Sequence, residues 1–426
     1  MESKSSFLND IKTGFHPSFW VANVLELFER FAYYGQAAVF AVFARDVLGF
    51  SEAETGSLDS LFGFLIYFLP IFAGTFVDKY GFKKSFMIAF ALMSFGYFAV
   101  GSTGMEQFAG FYEGTDLYWM MTIILIVTAI GGSFIKPSVL GTVSRTSKPH
   151  TKSLGFAIYY MLVNAGAAIG PLIAFNVRGA FGMQFVFAVS AGVSLAMLIG
   201  TIMFFKEPPA AEGELGGSLV QKLKDLVIVL ANFRFMIFLL IFSIFWIMFW
   251  QTFLIVPWFV TDTFGKATAF EVVSSSGAWA ILLLQIPVNR LTKKLSTNNA
   301  IILGFFISAM SWLAIALSPT LPVIIGAIAM FAIGEMTQAP RYYEYIADIA
   351  PKGQIGLYQG YAFLPIALGK LFGGVFGGFL YQTFANAGSP QLMWFTLTGV
   401  GLLTVLLMWV YNMTLAKGVK KAEGTE

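Results

Sequence analysis

Three ionisable residues stand at i, i+3 and i+4 in one apolar run, Leu25-Glu26-Leu27-Phe28-Glu29-Arg30-Phe31-Ala32-Tyr33. On a helix Glu26, Glu29 and Arg30 share a face, with Tyr33 one turn further on. Two carboxylates beside a single guanidinium cannot both ionise cheaply in an apolar setting. One of them is therefore expected to take up and release a proton reversibly near neutral pH. The plainer alternative is a purely structural charge cluster. Lys136, in Gly131-Gly132-Ser133-Phe134-Ile135-Lys136-Pro137, also lies deep in an apolar stretch. It needs a carboxylate partner, and the first run supplies one. Asn164 offers a donor and an acceptor, suited to a solute or to gluing helices together.

Eight charges lie away from the ends of apolar stretches: Glu26, Glu29, Arg30, Lys136, Glu335, Arg341, Glu344 and Lys370. An ionisable group in hydrocarbon is costly unless it is paired, neutralised or facing a cavity. Four acids and four bases make the set nearly self-neutralising. Other chemistry is excluded by what is missing. The chain has no cysteine, and its two histidines, His16 and His150, fall in polar segments. Disulfides, thiolate metal sites and a cysteine nucleophile are ruled out. No Ser/His/Asp set, metal cluster or phosphate loop appears within the apolar stretches. An enzyme is not expected, nor a cofactor other than protons as coupling ion.

The elements that must position these charges follow from composition. Of 426 residues, 57% are hydrophobic and 12% charged. A water-facing shell cannot be built from so little charge, whereas a bilayer solvates an apolar exterior. Spans of about 20 apolar residues are expected near 18–44, 55–77, 85–103, 117–141, 153–175, 182–205, 234–261, 271–290, 299–318, 322–348, 356–382 and 390–414. Twelve spans place both termini on one side. The termini and the loops on their side hold 19 of the 26 Lys and Arg, against three (Arg45, Arg178, Lys266) opposite. The positive-inside rule puts both termini in the cytoplasm. The polar stretch 206–232 reads as a linker, with 219–230 able to lie as an amphipathic helix on the surface. The expected organisation is thus two six-helix bundles, 1–205 and 233–426, with no removable signal peptide. The basic balance reads as loop charge, not nucleic-acid binding.

Between the second and third spans the chain reads Gly74-Thr-Phe-Val-Asp78-Lys79-Tyr-Gly81-Phe-Lys83-Lys84. This resembles the loop motif of the major facilitator superfamily. The resemblance implies that Gly74, Asp78, Gly81 and Lys83 form a brace for the cytoplasmic helix ends. A weaker echo, Asn289-Arg290-Leu-Thr-Lys293-Lys294, falls at the matching place in the second half.

Within that superfamily, Glu26-x-x-Glu29-Arg30-Phe-x-Tyr33-Tyr34-Gly35 resembles the signature of the proton-coupled oligopeptide transporter family. Gly132-x-x-x-Lys136-Pro137 and Tyr159-Tyr160-x-x-x-Asn164-x-Gly166 are similar to its fourth- and fifth-span motifs, and Gly334-Glu335 with Pro340 to its tenth. The resemblance implies a proton-linked network of Glu26, Glu29, Arg30 and Lys136. It implies a pocket lined by Tyr33, Tyr34, Tyr67 and Asn164, with Glu335 facing a substrate amine. The second half departs from the pattern. Ala37 stands where the family has a second arginine, and Trp250, before Gln251, stands where it has a glutamate. Both partners of a gate pair are thus missing together, as they must be, because losing one alone strands a buried charge. Trp250 and Gln251 join the candidate substrate residues. Arg341 and Glu344, amid Tyr342, Tyr343 and Tyr345, are either a replacement gate or anion site, or an ordinary i,i+3 pair at a helix end. Lys370 is expected to pair with an acid of the tenth span.

The resemblance implies a monomeric major facilitator fold with alternating access, and proton-coupled uptake of a small polar solute with peptides as the default class. The alternatives are proton-driven export of amphipathic compounds and a non-transporting sensor or scaffold.

Overall fold

The computed structural model describes residues 7–209, 219–351 and 354–416. The middle of the expected linker, 210–218, lies outside them. Among the described residues the chain is helical, with one isolated bridge between Phe15 and Ser147 and no strand. In chain order the helices begin with α1 (Phe7–Thr13), α2 (Pro17–Asp46), α3 (Glu52–Phe68), α4 (Pro70–Tyr80) and α5 (Phe82–Ser102). There follow α6 (Ala109–Tyr112), α7 (Leu117–Ser133), α8 (Ile135–Thr146), α9 (Lys152–Phe181) and α10 (Met183–Phe204). The remainder are α11 (Leu219–Ala231), α12 (Phe233–Trp250), α13 (Ile255–Phe264), α14 (Phe270–Thr292), α15 (Thr297–Leu317), α16 (Leu321–Ile349), α17 (Ile355–Gly360), α18 (Leu364–Leu380) and α19 (Pro390–Thr414).

Ten helical stretches among the described residues are long and apolar enough to cross a bilayer, or eleven if α3 and α4, bent by 44°, make one. They coincide with eleven of the expected ranges. The remaining range is α2, a 30-residue helix. At about 1.5 Å per residue it is long enough to span, but Glu26, Glu29 and Arg30 lower its apolarity. Large side chains such as Trp119, Leu283, Phe372 and Phe379 are exposed on the helices, as a lipid-solvated exterior allows.

By contacts the described chain forms two compact units, 1–37 with 69–220 and 38–68 with 221–426. The first unit packs Phe19, Phe82, Phe86, Phe90 and Met93 against Ile135 and Val139. Its turn between α4 and α5 needs Gly81, whose φ is +88°, a conformation only glycine adopts cheaply. The core of the second unit is aromatic. Phe238 stacks on Tyr342, Phe245 on Phe305 and Phe331, and Trp312 on Trp394, with centroids 5.2–5.6 Å apart.

Candidate functional site

In the first unit, glycines bring α9 against α2. A Cβ on Gly166 would lie 2.7 Å from the Leu27 carbonyl oxygen, and one on Gly170 2.5 Å from that of Phe31. No side chain fits there, so the backbones touch, and α9 delivers Tyr159 to the charged face of α2. Glu26 and Glu29 are fully buried and Arg30 nearly so. The Arg30 Nε donates to Glu29 Oε2 and lies 3.4 Å from Glu26 Oε1. One guanidinium thus serves both acids, as the spacing predicted. Each acid retains one oxygen, Glu26 Oε2 and Glu29 Oε1, buried without a hydrogen-bond partner among the described residues.

Among the described residues Lys136 pairs with no carboxylate directly, contrary to expectation. Its ammonium donates to the Tyr159 hydroxyl at 3.1 Å, and that hydroxyl donates to Glu26 Oε1 at 3.4 Å. The break between α7 and α8 at Phe134 re-aims the chain just before Lys136, so the lysine approaches α9 first. Tyr159 was part of a quoted motif but carried no assigned role. The Arg30 guanidinium covers the Tyr33 ring at 5.0 Å, a cation–π contact that buries Tyr33. Tyr34 meets Tyr33 edge-on at 5.2 Å and is half-buried. Asn164 donates to the Tyr160 carbonyl of its own helix at 2.8 Å.

The loop motif joins α4 to α5 in the same unit. Asp78 is exposed. Lys83 Nζ donates to the Ile202 carbonyl at 3.0 Å. The opening amides of α5 are met by Glu207, whose two oxygens accept from Phe82 N and Lys83 N at 2.7 Å each. Gly74 has open space where a side chain would be. Glu207 was missed in the sequence because it acts from 124 residues away.

The second unit holds a separate charge cluster. Lys370 of α18 pairs with Asp59 of α3, its Nζ 2.7 Å from both carboxylate oxygens. This corrects the expected pairing with a tenth-span acid. The ammonium also lies 4.3 Å from the Trp250 ring centroid, and Tyr67 lies 5.7 Å from the same ring. A Cβ on Gly63 would fall 2.4 Å from Lys370 Cδ, so the glycine makes room for the lysine stem. Asp59 was overlooked because it lies near the start of its helix, although Gly63 one turn on marked the same face. Gln251 is buried at the break between α12 and α13 and gives its amide hydrogens to the Ile247 and Gly373 carbonyls, at 2.7 and 2.9 Å. It ties α12 to α18.

Glu335 has no ion-pair partner among the described residues and is half-buried. Arg341 and Glu344 pair at 2.7 Å, with Glu344 49% exposed, and Arg341 also donates to the Lys293 carbonyl at 3.3 Å. That geometry matches the plainer reading of an i,i+3 pair at a helix end. A further cluster, unforeseen in the sequence, joins the end of α2 to α13. Arg45 makes a bidentate pair with Asp262 at 2.7 and 2.8 Å and contacts Asp46 at 2.7 Å. Tyr381 donates to Asp262 at 2.6 Å and Lys266 reaches Asp46 at 3.0 Å. Beyond the expected span, Asp46 is held below the usual carboxylate range. Burial pushes it up, but hydrogen bonds from Arg45 and Lys266 outweigh that.

Long apolar helices enclosing buried, paired charges define a multi-pass integral membrane protein built to handle polar cargo or ions. The profile of the Major Facilitator Superfamily matches residues 24–267 and 237–425, and the chain belongs to that superfamily. It is 26% identical over 359 residues to the multidrug resistance protein MdtH of Photorhabdus laumondii subsp. laumondii, covering 84% of this chain and 85% of that one. With MdtH of Klebsiella pneumoniae (strain 342) it shares 25% over 342 residues, 80% and 81% of the two chains. Its fold is similar to a POT family transporter solved with 5-aminolevulinic acid, with TM-score 0.73, 17% identity and coverage of 96% and 97%. It is also similar to a point mutant of the nucleoside transporter NupG, with TM-score 0.78, 13% identity and coverage of 92% and 99%. The protein is thus a major facilitator transporter and not an enzyme.

Proposed function

We propose that the chain is a proton-coupled secondary transporter that carries a small polar solute inward with protons. Its twelve spans form two six-helix halves, 1–205 and 233–426, with both termini in the cytoplasm. The observation that carries this reading is the buried Glu26–Glu29–Arg30 cluster, in which each acid keeps one unpartnered oxygen. A proton arriving on either oxygen weakens that acid's hold on Arg30 and leaves the guanidinium to the other. The Lys136–Tyr159 link carries the change to α8 and α9. Two protonation states then favour two arrangements of these helices, as a coupled conformational cycle requires. Tyr33, Tyr34, Tyr67, Trp250 and Glu335 are the proposed contacts with the solute, and Asp78 with its loop the proposed brace. The test is Glu29→Gln in proteoliposomes. It is expected to abolish uptake driven by a pH gradient while counterflow exchange persists; wild-type pH-driven uptake in the variant would sink the reading.

A second reading is proton-driven export of amphipathic compounds. It is supported by the MdtH relatives, named as multidrug resistance proteins, and by the aromatic surroundings of Trp250. Flux direction in oriented vesicles under an imposed pH gradient separates the two.

A further inference from the structure

The ion pair of α3 and α18 sits in an interface where glycines bring the two backbones together. A Cβ on Gly56 would lie 2.2 Å from the Gly374 carbonyl oxygen, and one on Gly374 the same distance from that of Gly56. Gly378 approaches the Glu52 carbonyl in the same way, at 2.4 Å. Where backbones meet through glycines, no side chain stands between them. Two directional contacts fix the interface: the Ser60 hydroxyl, which accepts from Val375 N at 3.0 Å, and Asp59 on Lys370.

Lys370 is satisfied only while α3 is in place. Both Asp59 oxygens engage its ammonium, and its other neighbour is the face of Trp250. Around that face stand Tyr67, Trp246, Phe249 and Phe253, with centroids 4.9–6.2 Å from Trp250. If the two helices part, the lysine is left in an aromatic setting with no counter-charge, an unfavourable state for a buried cation. An anion seated on Lys370 removes that penalty, and the rings offer its apolar body a surface.

We infer that Lys370, with Trp250 and Tyr67, is the docking point for the carboxylate of an organic anion with an apolar body, which competes with Asp59 and so favours parting of α3 from α18. The gate charges absent at Ala37 and Trp250 thereby reappear at Asp59 and Lys370, with the solute as the competing partner. The inference rests on the transport reading above, for which it names the solute class.

The test is equilibrium dialysis of the full chain, purified in detergent, with indole-3-acetate and its neutral counterpart indole-3-acetamide. The acid is expected to bind roughly tenfold more tightly than the amide. Asp59→Asn removes the competitor and is expected to tighten acid binding roughly tenfold with the amide unchanged; Lys370→Met is expected to abolish the preference. A wild type without preference for the acid, a Lys370→Met variant that keeps it, or a folded Asp59→Asn variant with unchanged or weaker acid binding each overturns the inference. Should either single variant fail to fold, the doubly neutral Asp59→Asn/Lys370→Met chain decides, since acid preference there overturns it and equal binding supports it. No gradient is applied, so this result is independent of the Glu29→Gln flux result.

Discussion

Lys136 reaches Glu26 through the hydroxyl of Tyr159, with successive distances of 3.1 and 3.4 Å. The cation of α8 and the acid of α2 therefore communicate through a group that can both accept and donate. Tyr159→Phe keeps the ring and removes the link. It is expected to cost about 1–3 kcal/mol of stability, the range for leaving a buried polar partner unmet, and to slow proton-driven flux more than exchange. Thermal unfolding and paired flux assays check the two parts.

Arg30 holds two buried acids at once. Arg30→Ala is expected to destabilise the fold by about 3–5 kcal/mol, the range for breaking a buried ion pair from one side. Combining it with Glu26→Gln and Glu29→Gln should recover part of that loss, because the stranded charges are gone. Unfolding midpoints of the single and triple variants test this; a triple variant no more stable than Arg30→Ala contradicts it.

Gly56 of α3 and Gly374 and Gly378 of α18 admit no side chain, whereas Gly192 of α10 has open space around its Cβ direction. Gly56→Ala is expected to cost about 1–3 kcal/mol through overpacking. Gly192→Ala is expected to be neutral or stabilising by up to about 1 kcal/mol, through helix propensity alone. Comparative melting curves in detergent distinguish them.

Asp46 gives a pH signature. Its folded-state value is held below the ordinary one by Arg45 and Lys266 against the pull of burial. Its stabilisation is therefore fully present above the unfolded value of about 4 and is lost as pH falls through the still lower folded value. Asp46→Asn should melt earlier than wild type at about pH 7, with the gap closing below about pH 4. A gap unchanged down to about pH 3 contradicts the assignment.

Much of the fold was legible because span length and charge bias are read along the chain, and eleven expected ranges met long apolar helices. The acid–acid–base cluster was legible for the same reason, since i, i+3 and i+4 positions in one helix fix their own proximity. The Arg341–Glu344 pair was local too. Contacts between distant segments were not legible. Asp59 meets Lys370 across 311 residues because glycines let two backbones touch, and no periodicity states which helices those will be. Lys136 was read as seeking a carboxylate, yet the turn at Phe134 sets it against Tyr159 instead. Gln251 is a candidate solute ligand from its neighbour in the motif; the helix-to-helix bond it also makes, from its amide to the Gly373 carbonyl, was not legible.

The second unit fastens the early helices by two charge pairs of unlike exposure. Asp262, on Arg45, is 44% exposed, whereas Asp59 and Lys370 are 15% and 5% exposed. Mobile ions screen charges in water over about 8 Å at physiological ionic strength, but reach buried pairs poorly. Salt therefore loosens the clasp at the end of α2 and leaves the inner pair untouched. One fastening is thus open to the ions of the medium, and the other is shielded from them.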